Sequence, residues 1–188
     1  MFVACRQVIL RYFIVIFSHY IIFYYFCQWC FNTFSLLLEF CYNWGMIRII
    51  AGGKKHVEWC AEACAEFEKR LRKPYEIVWE FMDEDKLNKK LSDWPFENRD
   101  FVICCDERGK NISSDEFSQC LEKVFVNGKN VVILIGGAYG FPEMVREKAD
   151  FVWSFSKLVF PHMIARLIVA EQVYRAQEIA HGGKYHHE

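Results

Sequence analysis

Two short apolar runs in the last third of the chain constrain its fold more than any other feature. Val131–Ile135 runs into Gly136-Gly137-Ala138-Tyr139-Gly140, and Phe151–Phe155 runs into Ser156-Lys157-Leu158-Val159-Phe160-Pro161-His162. Apolar runs this short, bounded by turn residues, read as strands buried on both faces. Such strands need helices above and below them, and the segments between and after supply them: Pro142–Lys148 reads as a short helix and Pro161–Ala180 as a long one. A strand that opens onto a glycine-rich turn can also bring backbone N–H groups against a ligand.

The same alternation begins at Met46. Met46–Ala51 is a short apolar strand running into Gly52-Gly53. His56–Leu71 has Val57, Trp59, Cys60, Cys64, Phe67 and Leu71 near helical spacing, and Pro74 ends it. Tyr75–Phe81 reads as a second strand and Asp83–Leu91 as a short polar helix. Phe101–Cys105 is a third, buried strand ending in Asp106-Glu107-Arg108-Gly109-Lys110. Ser113 with Glu116 three residues on forms a capping box, and its helix runs to about Phe125 and stops at Asn127-Gly128. In the last helix Ile164, Leu167, Ile168, Val169, Val173 and Ile179 supply an apolar face. Strand and helix alternate throughout, so the fold class is α/β with a mainly parallel sheet flanked by helices.

Residues 1–45 belong to a different composition. They hold no Lys, Asp or Pro and only three formal charges, Arg6, Arg11 and Glu39. Tyr12 to Leu38 carries no charge and is long enough to cross a bilayer as a helix, yet it is aromatic and interrupted by Ser18, His19, Gln28, Asn32 and Thr33. It has no small-residue cleavage site of the signal-peptide kind. A membrane segment, a buried extension of the domain and in-frame translation upstream of the true start compete. The last is the expectation adopted, with Met46 as initiator, a doubtful leader over 1–45 and one domain over 46–188. No membrane partner is expected unless the leader is genuine, and the compartment expected is the cytoplasm. An intact mass that includes Met1 would overturn this.

The glycine turn is neither the Gly-x-Gly-x-x-Gly dinucleotide fingerprint nor a Walker loop, since no Lys-Ser/Thr follows. By itself it reads equally as a tight turn or as a ligand cradle. Ligands of open α/β sheets sit beyond the carboxyl ends of strands, and three such ends here are polar or glycine-rich: Cys105-Asp106, Gly136-Gly137 and Ser156-Lys157. The nine cysteines make no disulfide or metal pattern. Cys60 and Cys64 lie four apart on a helix face and Cys104-Cys105 are adjacent in a strand, so they read as small buried hydrophobes in a reducing compartment. Of the late histidines, His162, His181, His186 and His187, only His181 has a nearby acid at helical spacing, Glu178, and no metal site is expected. No Gly-x-Ser-x-Gly elbow is present, which argues against a serine hydrolase.

Several motifs in fixed order resemble the ribosomal large-subunit pseudouridine N3-methyltransferases, small members of the SPOUT superfamily. They are Met46-Ile-Arg-Ile-Ile-Ala-Gly-Gly-Lys-Lys; Asp106-Glu107-Arg108-Gly109-Lys110 with Ser113-Ser114-Asp115-Glu116-Phe117; Ile135-Gly136-Gly137-Ala138-x-Gly140; Ser154-x-Ser156-Lys157-Leu158 with Phe160-Pro161-His162; Ala170-Glu171-Gln172-x-Tyr174-Arg175-Ala176; and Tyr185-His186-x-Glu188. The resemblance covers the chain from Met46 to its end. It implies a SPOUT fold with a C-terminal trefoil knot, a homodimer, and S-adenosyl-L-methionine bound by Cys105, Gly137, Ser156, Lys157, Leu158, Val159, Phe160 and Pro161. Family members often carry Leu where Cys105 stands.

The implied reaction is methylation of N3 of a pseudouridine in 23S rRNA within the assembled 70S ribosome. The alternatives are a SPOUT methyltransferase acting on another RNA, such as tRNA, or a non-catalytic scaffold that binds cofactor or RNA. The N3 proton must leave, so a base or polarising donor is useful, and the candidates are His162, Tyr185 and His186. The family tail commonly reads Tyr-His-Arg-Glu, whereas His187 stands here in place of the Arg. From Met46 on there are 21 basic and 23 acidic side chains, so net charge gives no basic footprint for RNA. Arg108 and Lys110, beside the expected pocket, are the candidate RNA contacts.

Overall fold

The computed structural model describes residues 46–53, 55–137 and 140–185. The leader 1–45, Ala138, Tyr139 and the candidate His186 lie outside the described residues. Among the described residues no helix is long and apolar enough to cross a membrane.

Among the described residues ten elements alternate as expected. They are β1 (Ile47–Gly52), α1 (Glu58–Glu68), β2 (Ile77–Met82), α2 (Glu84–Ser92), β3 (Asp100–Asn111), α3 (Ser114–Val126), β4 (Asn130–Ile135), α4 (Glu143–Lys148), β5 (Phe151–Ser154) and α5 (His162–Ala180). The five strands form one parallel sheet in the order β2-β1-β4-β3-β5. The strands with the most continuous apolar runs, β1 and β4, sit inside it, because only interior strands are covered on both faces.

Strand alternation divides the core in two. Ile49, Ile133 and Ile103 are register partners across β1, β4 and β3. They join Phe117 and Leu121 of α3 and Val169 and Val173 of α5 in one cluster. Each of these aliphatic side chains contributes about 2 kcal/mol by leaving water. Ile50, Val132, Leu134, Val102 and Cys104 point the other way, toward Leu87 and Leu91 of α2 and Val145 of α4. Helix α1 packs on α5 rather than on the centre of the sheet, through Cys60, Cys64, Ala170 and Leu167.

The capping box on α3 is formed on both sides. Glu116 N donates to Ser113 Oγ at 3.2 Å and Ser113 N donates to Glu116 Oε2 at 2.8 Å. The helix ends at Asn127 with Gly128 at φ +67°, the left-handed conformation that glycine adopts without strain.

Three local expectations differ from the structure. Helix α1 is shorter than His56–Leu71: Val57 is extended at its N-cap, and Arg72 N donates to Gln177 Oε1 at 2.6 Å, drawing the chain to α5. Strand β3 does not stop at Cys105. It continues through Asp106–Lys110 with a bulge and pairs again with β5, Lys110 opposite Trp153 and Asn111 opposite Ser154. Gly109 permits this, since a Cβ there would lie 2.5 Å from Val152 O. On α5, Val169 and Val173 are buried as expected, but so are Arg166 and Gln177, polar residues that periodicity assigns to no apolar face.

Candidate functional site

The loops after β4 and β5 meet the bulged part of β3 around a cavity of about 360 Å³. Its walls come from Cys105, Asp106, Glu107 and Arg108 on β3, from Gly136, Gly137 and Gly140 after β4, and from Ser156, Leu158, Val159 and Phe160 after β5. His162 and Ala165 of α5 close it. This is the carboxyl end of the parallel sheet, where α/β folds place their ligands.

The glycine turn uses its glycines for two purposes. Gly140 has φ +68° and donates its N–H to Gly137 O at 3.2 Å, which closes the turn. Gly136 and Gly137 are needed for close approach. A Cβ on Gly136 would lie 2.9 Å from the Gly140 Cα, and one on Gly137 would collide with the Glu84 carboxylate at the start of α2. The end of β1 presses on the same place, because a Cβ on Gly52 would lie 2.9 Å from Gly137 N. Backbone replaces side chain along this wall of the cavity.

Side-chain hydrogen bonds shape the opposite wall. Asn111 Nδ2 donates to Ser154 O at 3.0 Å, Ser154 Oγ donates to Ser156 O at 2.8 Å, and Leu158 N donates to Ser156 Oγ at 2.9 Å. Ser156 thus turns the chain at Leu158 and Val159, which line the cavity yet stay 68% and 78% exposed. Phe117, Trp153 and Phe155 form a chain of ring contacts from the core to this loop, at 4.2 and 4.8 Å between centroids.

Asp106 organises the floor. Its side chain is almost fully buried and receives Arg108 Nε at 2.8 Å and Arg108 Nη2 at 2.9 Å, with Arg146 Nη1 at 3.5 Å. Burial alone would raise its pKa, but the Arg108 hydrogen bonds and the charges of Arg108 and Arg146 outweigh it and hold the carboxyl below its ordinary value. Arg146 also donates to Phe141 O at 2.7 Å, so Asp106 is tied through α4 to the segment following the glycine turn. Burial, with Cys104 and Asp106 adding to it, pushes the Cys105 thiol well above the ordinary thiol range. Burial thus favours the neutral thiol, and Cys105 is a small wall residue of the cavity.

Of the residues singled out in the sequence, Cys105, Gly137, Ser156, Leu158, Val159, Phe160, His162 and Arg108 line this one cavity. Lys157 and Pro161 are exposed beside it and are not among its lining residues. Lys110 lines a second cavity of about 500 Å³, with Lys123, Lys129, Phe101 and Phe151. Tyr185 packs elsewhere: its ring lies 4.8 Å from that of Tyr174, the Arg175 guanidinium carbon lies 4.8 Å from its centroid, and its hydroxyl donates to Glu171 Oε1 at 3.4 Å. Arg146 and the Asp106 clamp were missed by sequence reasoning. Asp106 was visible as a polar strand end, but nothing in the spacing of Arg146 on its short helix marked it as the partner.

Comparison with known proteins identifies the family. The family described as "Predicted SPOUT methyltransferase" matches residues 46–186. A protein of Caldicellulosiruptor bescii named "Ribosomal RNA large subunit methyltransferase H" is 38% identical over 153 residues, covering 75% of this chain and 99% of that protein. A Thermotoga maritima protein of the same name is 37% identical over 143 residues, covering 73% of this chain and 91% of its own length.

Proposed function

This chain belongs to the SPOUT methyltransferase family, and from that premise we propose that it uses S-adenosyl-L-methionine to methylate N3 of a pseudouridine in 23S rRNA of assembled ribosomes. The observation that carries the reading is the single cavity shared by Cys105, Gly137, the loop from Ser156 to Phe160, and His162. Its volume falls in the range of small-molecule sites, about 300–1,000 Å³. Its walls also suit the cofactor: a neutral thiol and the side chains of Leu158, Val159 and Phe160 offer apolar surface, while the backbone of Gly136 and Gly137 offers polar groups.

When bound, S-adenosylmethionine supplies an electrophilic methyl group. The chain's own residues position and exclude. Gly136 and Gly137 let a ligand approach the main chain, and Ser156 holds its loop in one shape before anything binds. Such preorganisation contributes to the rate by fixing the attack geometry. His162, at the head of α5 and in the cavity wall, is the candidate to accept the N3 proton. Arg108, held by Asp106 yet 59% exposed, stands at the mouth as the phosphate contact.

The homodimer, the cytoplasmic location and the trefoil knot belong to the same proposal. The knot is supported by β5 returning outside β3 while the loops after β3, β4 and β5 share one cavity. The dimer is supported by helix spacing. Glu171, the partner of Tyr185, stands nine residues beyond His162 on α5, an axial distance of about 14 Å. A tail that acts at the methyl-transfer site is then best supplied by the second subunit.

The test offers the full chain and labelled S-adenosylmethionine to ribosomes lacking the modification, to free 23S rRNA and to tRNA, with the modified nucleotide mapped by mass spectrometry. Methyl on N3 of a large-subunit pseudouridine, in whole ribosomes only, is the expected result. Transfer to tRNA would replace the substrate, and cofactor binding with no transfer to any RNA would favour a scaffold.

A further inference from the structure

Where α1 packs beside α5 and against β2, Cys60 and Cys64 lie four residues apart on α1, and His56 stands four residues before Cys60, just ahead of the helix. The spacing stacks them on one face. One ligand atom from each lies within 4.8 Å of the other two. Cys60 Sγ is 3.4 Å from His56 Nδ1 and 4.0 Å from Cys64 Sγ. Both cysteines are buried, and the rings of Trp79 and Phe81 enclose the imidazole at 4.5 and 4.8 Å. The methyltransferase reading uses none of these three residues.

We propose that His56, Cys60 and Cys64 form a three-coordinate site for a soft, thiophilic metal ion, cuprous copper.

Three observations select this ion. First, the ligands are two sulfurs and an imidazole nitrogen, the set that soft d¹⁰ ions prefer. Second, the sulfur spacing fits: metal–sulfur bonds of about 2.3 Å put two sulfurs of a trigonal plane about 4.0 Å apart, and the sulfurs here are 4.0 Å apart. Third, the charge balances. Arg166 is fully buried, packs its guanidinium carbon 5.1 Å from the Phe81 ring centroid, and directs Nη1 at Met163 Sδ. Met163 joins this guanidinium to Cys60, since Cys60 Sγ donates to the Met163 carbonyl oxygen at 3.5 Å. A monovalent ion with two thiolates carries −1, which this guanidinium offsets. A divalent ion would leave an excess positive charge in the same buried place and, among the described residues, would find no fourth His, Cys or carboxylate ligand for a tetrahedron. Uptake replaces two S–H bonds with two metal–sulfur bonds and releases two protons. No electron is transferred.

The experiment uses the full chain, reduced and under nitrogen, titrated with Cu(I) buffered by a chromophoric chelator. Retained metal is counted by native mass spectrometry and copper coordination is read by X-ray absorption. One Cu(I) per chain in a three-coordinate sulfur–nitrogen shell is expected, with a rise in Tm, since a ligand bound only by the folded state stabilises it. Cys60→Ser and Cys64→Ser should each weaken retention at least ~100-fold, the upper end of what losing only an outer-shell partner costs. Cys60→Val keeps the size and apolar packing of the residue and should lose the metal while melting near the metal-free wild type. Retention unchanged in these variants would assign the copper to other cysteines and overturn the proposal. No retention by the wild type, or tighter binding of Zn(II) than of Cu(I) in the same competition, would also overturn it.

Discussion

Arg166, with no exposed surface, donates from Nη2 to the carbonyl oxygen of Gly52 at 2.7 Å. One buried hydrogen bond thereby ties the first turns of α5 to the carboxyl end of β1, where Gly52 presses on Gly137 of the cavity wall. A buried guanidinium is costly to desolvate, and burial accordingly lowers the Arg166 pKa. Its position is justified by the alternative, a Gly52 carbonyl left without a partner. Replacement Arg166→Met should destabilise the protein by about 1–3 kcal/mol, the penalty for an orphaned buried acceptor. Urea unfolding of wild type and variant measures it, and an unchanged midpoint would show that the bond contributes nothing net.

The glycine at 137 gives a sharper test, because its neighbour is known. Gly137→Ala sets a Cβ against the Glu84 carboxylate and should cost about 1–3 kcal/mol by overpacking. It should also abolish cofactor binding measured by calorimetry. Glu84→Ala in the same chain removes the obstructing atoms, so the double variant should recover most of the lost stability. Failure to recover would mean that backbone strain, and not the Glu84 contact, is what alanine introduces.

How much of this could be read in advance follows from the kind of signal each feature leaves. The order of strands and helices was legible, because Val131–Ile135 and the run from Met46 to Ala51 are apolar over the length of a strand and are bounded by glycine. The capping box at Ser113 and Glu116 was legible because both partners lie within one turn. The extension of β3 past Cys105 was not: Asp106–Lys110 is polar, and its pairing with β5 depends on Gly109 lying against Val152, a contact made across 43 residues. Burial of Arg166 and Gln177 was equally hidden, since each bonds to distant backbone, Gly52 and the Arg70–Arg72 turn. The cavity residues themselves were assigned through family motifs. His56 left no signal of its own, because spacing marks it only as the start of the helical segment His56–Leu71.

Acid should loosen the cavity floor. The Asp106 carboxyl has a folded-state pKa below its ordinary value: burial raises it, and Arg108 and Arg146 more than compensate. A carboxylate depressed in this way stabilises the fold above its unfolded pKa, about 4. The contribution is lost as pH falls from there through the folded-state value. Asp106→Asn should therefore be less stable than wild type at neutral pH and should show a flatter stability profile below about pH 4. Chemical denaturation at a series of pH values checks this, and parallel profiles for the two proteins would contradict it.

His162 and Tyr185 supply the most demanding test, because a dimer with shared sites has a signature that no single-chain site can mimic. His162→Ala should lower kcat by about 10²–10⁴, the usual range for a lost acid–base group, with cofactor affinity nearly unchanged. Tyr185→Phe should also be impaired if its hydroxyl acts at the site. Along α5 His162 is separated by about 14 Å from Glu171, which holds Tyr185, so the Tyr185 that serves a given His162 would come from the partner subunit. When the two inactive proteins are mixed, unfolded and refolded together, half of the dimers are heterodimers, and one of the two sites in each carries both wild-type residues. Activity should return to about a quarter of wild type. If both residues instead acted within one chain, every site in the mixture would carry one lesion and no activity would return.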